Sequence, residues 1–174
     1  MSKRSMINFA ADSATTLRYY QLGNEPPDFD LTANDDAYRD RGAHTIDRHG
    51  PDIPLRRDPR TKTIEGRIYG DLPWAASVTR SYQWLDLSTI NREVDAYVRL
   101  NWETIRADLA LGHLHKGDYD AGYRIGRGYF NSGMYGTGPR RARYGETTRF
   151  NVLIRLAPGL VTATPFILSA YPWG

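Results

Sequence analysis

The side chains of this sequence best suited to chemistry lie in two short segments. These are His44-Thr45-Ile46-Asp47-Arg48-His49-Gly50 near the front and Phe166-Ile167-Leu168-Ser169-Ala170-Tyr171-Pro172 near the end. Imidazoles and hydroxyls are the parts needed to cut RNA without a metal ion. In that reaction the ribose 2′-hydroxyl is the nucleophile. A base removes its proton, a donor protonates the departing 5′-oxygen, and a cation stabilises the crowded phosphorane between them. Histidine suits proton transfer because its ordinary pKa lies near neutrality. An arginine fork suits the phosphorane because it meets developing charge with two directed hydrogen bonds. Ser169 and Tyr171 lie two residues apart, so on a strand they project from one face and can reach one phosphate.

The two histidines pose a geometric question. On a continuous helix a five-residue step turns His44 and His49 about 140° apart, so one is expected to be catalytic and the other structural. His49 ranks first, because it sits where a short helical turn ends and a basic loop begins. Other candidates read as structural. His113 and His115 lack a third ligand and are expected at a solvated helix end, and no metal site or cofactor is expected. Gly126-Arg127-Gly128 lacks the context of a phosphate loop and reads as a bulge or a close backbone approach. Asp28, Asp30, Asp35 and Asp36 read as a polar loop. Trp74, Trp84 and Trp102 read as core anchors, and Trp173 as packing over the domain edge.

These groups need elements to position them. Residues 1–39 contain the breaker-rich run Asn24 to Asp30 and no sustained apolar period, and are expected to be a lead-in or linker segment. Residues 40–174 form the expected domain. Thr45 is placed as the cap of a short helical turn that Gly50 ends, with Pro51 and Pro54 forbidding continuation. Residues 51–73 read as loop, with one short strand near Lys62 to Ile68. From Ser88 to Ala110, Ile90, Val94, Tyr97, Val98, Trp102, Ile105 and Leu109 recur at helical spacing, with Ser88 as N-cap and Gly112 past the end. Tyr123–Tyr129, Arg149–Leu156 and Thr164–Tyr171 then read as strands, separated by glycine-rich stretches at 131–138 and around Pro158-Gly159. Helices followed by antiparallel strands predict an α+β domain.

Composition narrows the class of protein. With 174 residues, 40% hydrophobic and 12% aromatic, the chain can bury a real core. No apolar run approaches the roughly 20 residues needed to span a bilayer, and Met1 to Asn8 carry no apolar signal-peptide core, so no membrane anchor is expected in this chain. Cysteine is absent, which excludes disulfides and thiolate chemistry and suits a reducing cytoplasm. The net charge is only +3, yet nearly all of the 23 basic residues are arginines, since Lys3, Lys62 and Lys116 are the only lysines. Guanidinium groups pair phosphates bidentately and stack on bases. Arg56, Arg57 and Arg60 cluster, as do Arg140, Arg141 and Arg143 beside Tyr144. This interleaving suits single-stranded nucleic acid.

Five blocks in order carry a resemblance to a known family. They are Gly42 to Gly50, Ala75-Ala76-Ser77-Val78-Thr79 leading into the helix with Asn101 and Ile105, Ile125-Gly126-Arg127-Gly128, Val152-Leu153-Ile154-Arg155-Leu156, and Leu168-Ser169-Ala170-Tyr171-Pro172. Together they resemble the RNase A-like toxin domains at the C-termini of bacterial contact-dependent inhibition proteins, over roughly residues 40–172. The resemblance implies a disulfide-free ribonuclease A-like fold with a twisted antiparallel sheet. It also implies export from the producing bacterium, RNA cleavage in the target-cell cytoplasm, and a cognate immunity protein as partner to an otherwise monomeric chain. His49, His44, Ser169 and Tyr171 then stand as catalytic residues, with Ser169 where the family usually has threonine. The family's arginine corresponds to Arg57 or Arg60, and Arg60 better keeps the usual separation from the second histidine. Arg56, Arg57, Arg127, Arg140 and Arg141 are the expected RNA contacts. Two other readings stay open: a non-catalytic RNA-binding module, and a different metal-independent toxin ribonuclease fold.

Overall fold

The computed structural model describes residues 3–134, 136, 138–157 and 164–174, with side chains from residue 13 onward. The expected breaks at 131–138 and Pro158-Gly159 lie partly or wholly outside the described residues. The elements in chain order are α1 (Lys3–Leu22), α2 (Leu31–Tyr38), a 3-10 turn (Arg39–Arg41), α3 (Thr45–His49), α4 (Ile64–Tyr69), β1 (Arg80–Trp84), α5 (Leu87–Ala110), β2 (His115–Asp120), β3 (Gly126–Asn131), β4 (Ala142–Thr147), β5 (Arg149–Ala157) and β6 (Thr164–Pro172). The α+β class agrees with the sequence. The strands form two antiparallel sheets, ordered β1-β3-β4 and β2-β5-β6, where a single sheet was expected.

Helix α5 organises the core. Its stripe of Ile90, Val94, Val98, Ile105 and Leu109 is fully buried, in one cluster with Phe150, Val152 and Ile154 of β5 and Ile167 and Ala170 of β6. Burying each aliphatic side chain contributes about 1.5–3 kcal/mol, so this contact fixes one face of the β2-β5-β6 sheet. The helix starts one residue earlier than expected. Asp86, not Ser88, is the N-cap, and its carboxylate accepts from the Thr89 amide at 2.7 Å. Trp74, Trp84 and Trp102 are buried as expected.

Residues 1–39 differ most from the expectation of a lead-in. Leu22, Phe29 and Leu31 are buried in the main core. The Phe29 and Leu31 amides donate to Asp95 and Asn91 of α5. Asp30 N-caps α2 rather than sitting in a polar loop, and Asp35 is buried. The breakers at 24–30 turn the chain onto α5 without detaching it.

The expected strand near Lys62–Ile68 is helix α4. Thr63 caps it by accepting from the Gly66 amide, Gly70 ends it at φ 75°, and Ile64 and Ile68 bury one face. The i, i+4 spacing of these isoleucines is the helical signal that the surrounding Pro, Arg and Asp residues obscured. Among the described residues, no helix is long and apolar enough to cross a membrane.

Candidate active site

Strand β6 aims its side chains by means of a bulge. In the β5·β6 ladder Leu153 faces Ser169 and Ile154 faces Ile167, which leaves Leu168 as an extra residue. A bulge re-phases alternation. Ile167 and Ala170 both enter the core, although three residues apart, while Ser169 and Tyr171 share the opposite face with their partners Leu153 and Asn151. The second face of the sheet thus becomes the floor of a cavity of about 350 Å³, whose other walls come from α3, α4 and β1.

Side chains from α2 and α3 hold this bulged strand. Asn34 uses its whole amide on Ile167, donating to the carbonyl at 2.8 Å and accepting from the amide at 2.9 Å. The His44 amide donates to the bulge carbonyl of Leu168. Thr45 is the first residue of α3 rather than its cap, and its Oγ1 accepts from the Ala170 amide at 2.9 Å. Asp35 accepts from the Ile46 amide at 2.7 Å, so α2 fixes the start of α3 as well.

Both histidines line the cavity, together with Ser169 and Tyr171. The expected divergence of His44 and His49 does not arise, because His44 precedes the helix with φ −158° and ψ 28°. Each ring has its Nδ1 against a backbone carbonyl: His49 against Tyr82 O at 3.0 Å and His44 against Gly42 O at 2.6 Å. Donation from Nδ1 leaves Nε2 as the proton acceptor. Burial pushes the His49 imidazole down to about 3, with the Tyr82 carbonyl partly offsetting it. Half-buried His44 is also lowered, chiefly by desolvation and partly offset by Gly42 O. At neutral pH both rings are therefore uncharged bases. Burial raises Tyr171 above the usual phenol range, which keeps its hydroxyl protonated and able to donate. Ser169 Oγ is buried with no hydrogen-bond partner, an exception to the rule that buried hydroxyls are satisfied.

The cavity's arginines are Arg67 and Arg80, neither of which the sequence singled out. Arg67 rises from α4, lies over the Trp74 ring at 4.7 Å, and has its pKa lowered by desolvation and by Arg48. Arg60 sits on the exposed turn after Asp58 and does not line the cavity. Arg57 is tied to Asp71 at 2.6 Å and stacks on Tyr69, and Arg56 is exposed beside it. Arg127 pairs with Gln83, so alternation turns it to the sheet face opposite Arg80 and Tyr82. Arg140 donates to the carbonyls of Ile68 and Val78 and serves packing, and Arg141 lines a separate hollow beside Tyr144. The arginines expected to contact RNA thus do not reach the histidines.

Tyr82, Asn151, Leu153, Pro172 and Trp173 complete the lining. Asn151 was not singled out from the sequence; its alternation with core residues Phe150 and Val152 on an expected strand is the signal that could have found it. His115 is corrected too. It is buried on β2, its Nδ1 2.8 Å from Asp108 and its Nε2 2.7 Å from the Tyr97 hydroxyl, not at a solvated helix end. Gly126 and Gly128 belong to β3, where a β-carbon would collide with Pro172 and with Ser81 O, which is the close approach expected. Among the described residues, no group of three His, Asp or Glu is placed to hold a metal ion.

No protein-family model matches the chain, and no curated protein matches it. Among solved structures, it is similar to a chain of the CdiA-CT/CdiI complex from Y. kristensenii 33638, with a TM-score of 0.51 and 18% identity. The match covers 76% of this chain and 100% of that one. At that identity the likeness concerns the fold.

Proposed function

We propose that the chain is a metal-independent endoribonuclease toxin, of the RNase A-like kind, that forms 2′,3′-cyclic phosphate ends. The observation that carries this reading is the meeting of His44, His49, Ser169, Tyr171 and Arg67 around one cavity, from segments about 120 residues apart in sequence.

His49 Nε2 takes the proton from the ribose 2′-hydroxyl. The freed 2′-oxygen bonds to phosphorus and the P–O5′ bond breaks. His44, more exposed and raised toward protonation by the bound phosphate's charge, returns a proton to the departing 5′-oxygen. Arg67 and the hydroxyls of Ser169 and Tyr171 donate to the non-bridging oxygens, where negative charge grows. Arg67 replaces Arg60 in the cation's role. The likeness to a chain of a CdiA-CT/CdiI complex supports a toxin-related role with an immunity protein as partner; delivery into a target cell, and an immunity protein that masks the cavity, complete the proposal.

The low basicity that burial gives His49 favours one competing reading, a binder that does not turn over. Incubation with RNA in excess EDTA separates the two. Fragments ending in cyclic phosphate support the enzyme, and a mobility shift with intact RNA supports the binder. Adding the product of the neighbouring open reading frame tests the immunity partner, which should suppress cleavage.

A further inference from the structure

Three hollows meet around the final residues. Trp173 borders both the His49 cavity and a second hollow lined by Arg124, Thr148 and Arg149. Arg80 and Tyr82 border the cavity and a third hollow, which runs over Gly145 to Gly174. Glu146 and Gly174 join the second and third. Shared wall residues place these hollows side by side as a grooved surface, and Gly145 and Gly174 leave room beside the Tyr82 hydroxyl.

Trp173 is mounted unlike an ordinary edge residue. Its amide donates to Arg149 O at 3.0 Å, its carbonyl accepts from Thr147 Oγ1 at 2.5 Å, and its indole N–H donates to Asp118 at 3.2 Å. Two bonds anchor its backbone and the indole bond orients the ring, yet the residue is only half-buried, and among the described residues no other aromatic ring packs on it. Its companions are two guanidiniums, Arg149 at 4.9 Å and Arg80 at 5.4 Å from the ring centroid. Arg149 is held by Asp118. Arg80 is exposed and has no ion pair among the described residues, so it can leave the indole for a phosphate at the cost of one cation–π contact.

We infer that this groove binds single-stranded RNA flanking the scissile phosphate, with one nucleobase stacked on Trp173 and Arg80 moved onto the adjoining phosphate. An oriented aromatic face beside a cation free to move is the recognition logic of unpaired strands. Bases offer π-faces that tolerate any sequence, while a duplex hides them. The inference rests on reading the His49 cavity as an RNA site, and it adds where the flanking base and phosphate go.

The test measures binding of a fluorescent single-stranded 2′-fluoro hexanucleotide, which lacks the nucleophile for cleavage, by wild type, Trp173→Phe and Trp173→Leu. Both substitutions keep an apolar side chain of useful size, and only one keeps a ring. The Phe variant should bind within about threefold of wild type, and the Leu variant roughly 5- to 100-fold more weakly, the range of one lost base stack. Equal binding by the two variants, or no binding by the wild type, overturns the groove. Cleavage of the matching all-RNA hexanucleotide is measured in parallel. A wild type that binds but does not cut retires the ribonuclease reading alone. One that cuts while the two variants bind alike retires the groove alone.

Discussion

The His49 imidazole lies stacked on the Tyr171 ring, centroids 5.2 Å apart and planes 28° from parallel. This contact joins the end of α3 to the last strand, so the proposed base and a proposed phosphate donor are positioned by each other. It also separates two functions of Tyr171, which lines the cavity: the ring supports the imidazole, and the hydroxyl is the proposed donor.

Tyr171→Phe should therefore keep the stack and lose the donor. The expected outcome is a roughly 10- to 100-fold fall in kcat, the size of one hydrogen bond to a charged group, with stability changed by less than about 1 kcal/mol. Single-turnover cleavage and urea unfolding measure the two effects. Unchanged turnover would remove the hydroxyl from the mechanism.

The arginine assignment gives a paired comparison. Arg67→Ala should lower kcat/KM by about 100-fold or more, as loss of a transition-state donor does, while Arg60→Ala stays within a few-fold of wild type. The reverse order would restore the assignment made on sequence separation alone.

The sequence displayed the long helix, three of the six strands, the α+β class and four of the cavity's residues, because these depend on local periodicity and alternation. What it concealed depends on tertiary context. Arg67 hid within α4, a two-turn helix whose apolar spacing is broken by charged neighbours. Strands β1, β2 and β4 are five or six residues long, and β4 buries only Thr147, so its alternation carries little apolar signal. The bulge at Leu168 is an offset between two strands and has no signature in either alone. The role of Asn34 in holding it could be read only once α2 lay beside β6.

Asn34 offers a stability prediction. Asn34→Ala leaves both the amide and the carbonyl of buried Ile167 without their partner, so it should destabilise the fold by about 2–4 kcal/mol in urea unfolding and reduce cleavage by loosening the bulge. A change below about 0.5 kcal/mol would show that the bulge holds without α2.

The His49 shift predicts a pH dependence of stability. The unfolded imidazole titrates near 6.5 and the folded one near 3, so above pH 6.5 it is neutral in both states and contributes no slope. Between 6.5 and 3 the unfolded chain binds a proton that the folded chain does not. Stability should thus fall on acidification by about 1.4 kcal/mol per pH unit from this group. Unfolding of wild type and His49→Gln across that window should show the variant's slope smaller by one proton. Equal slopes would place His49 in a solvated or paired environment instead.

The most direct measurement is cleavage of a defined single-stranded RNA in excess EDTA by wild type and His49→Ala, with the 3′ ends of the products identified. The account predicts 2′,3′-cyclic phosphate ends from the wild type and a rate at least 100-fold lower from a variant that remains folded. Intact RNA with the wild type, or equal rates from both proteins, would contradict it.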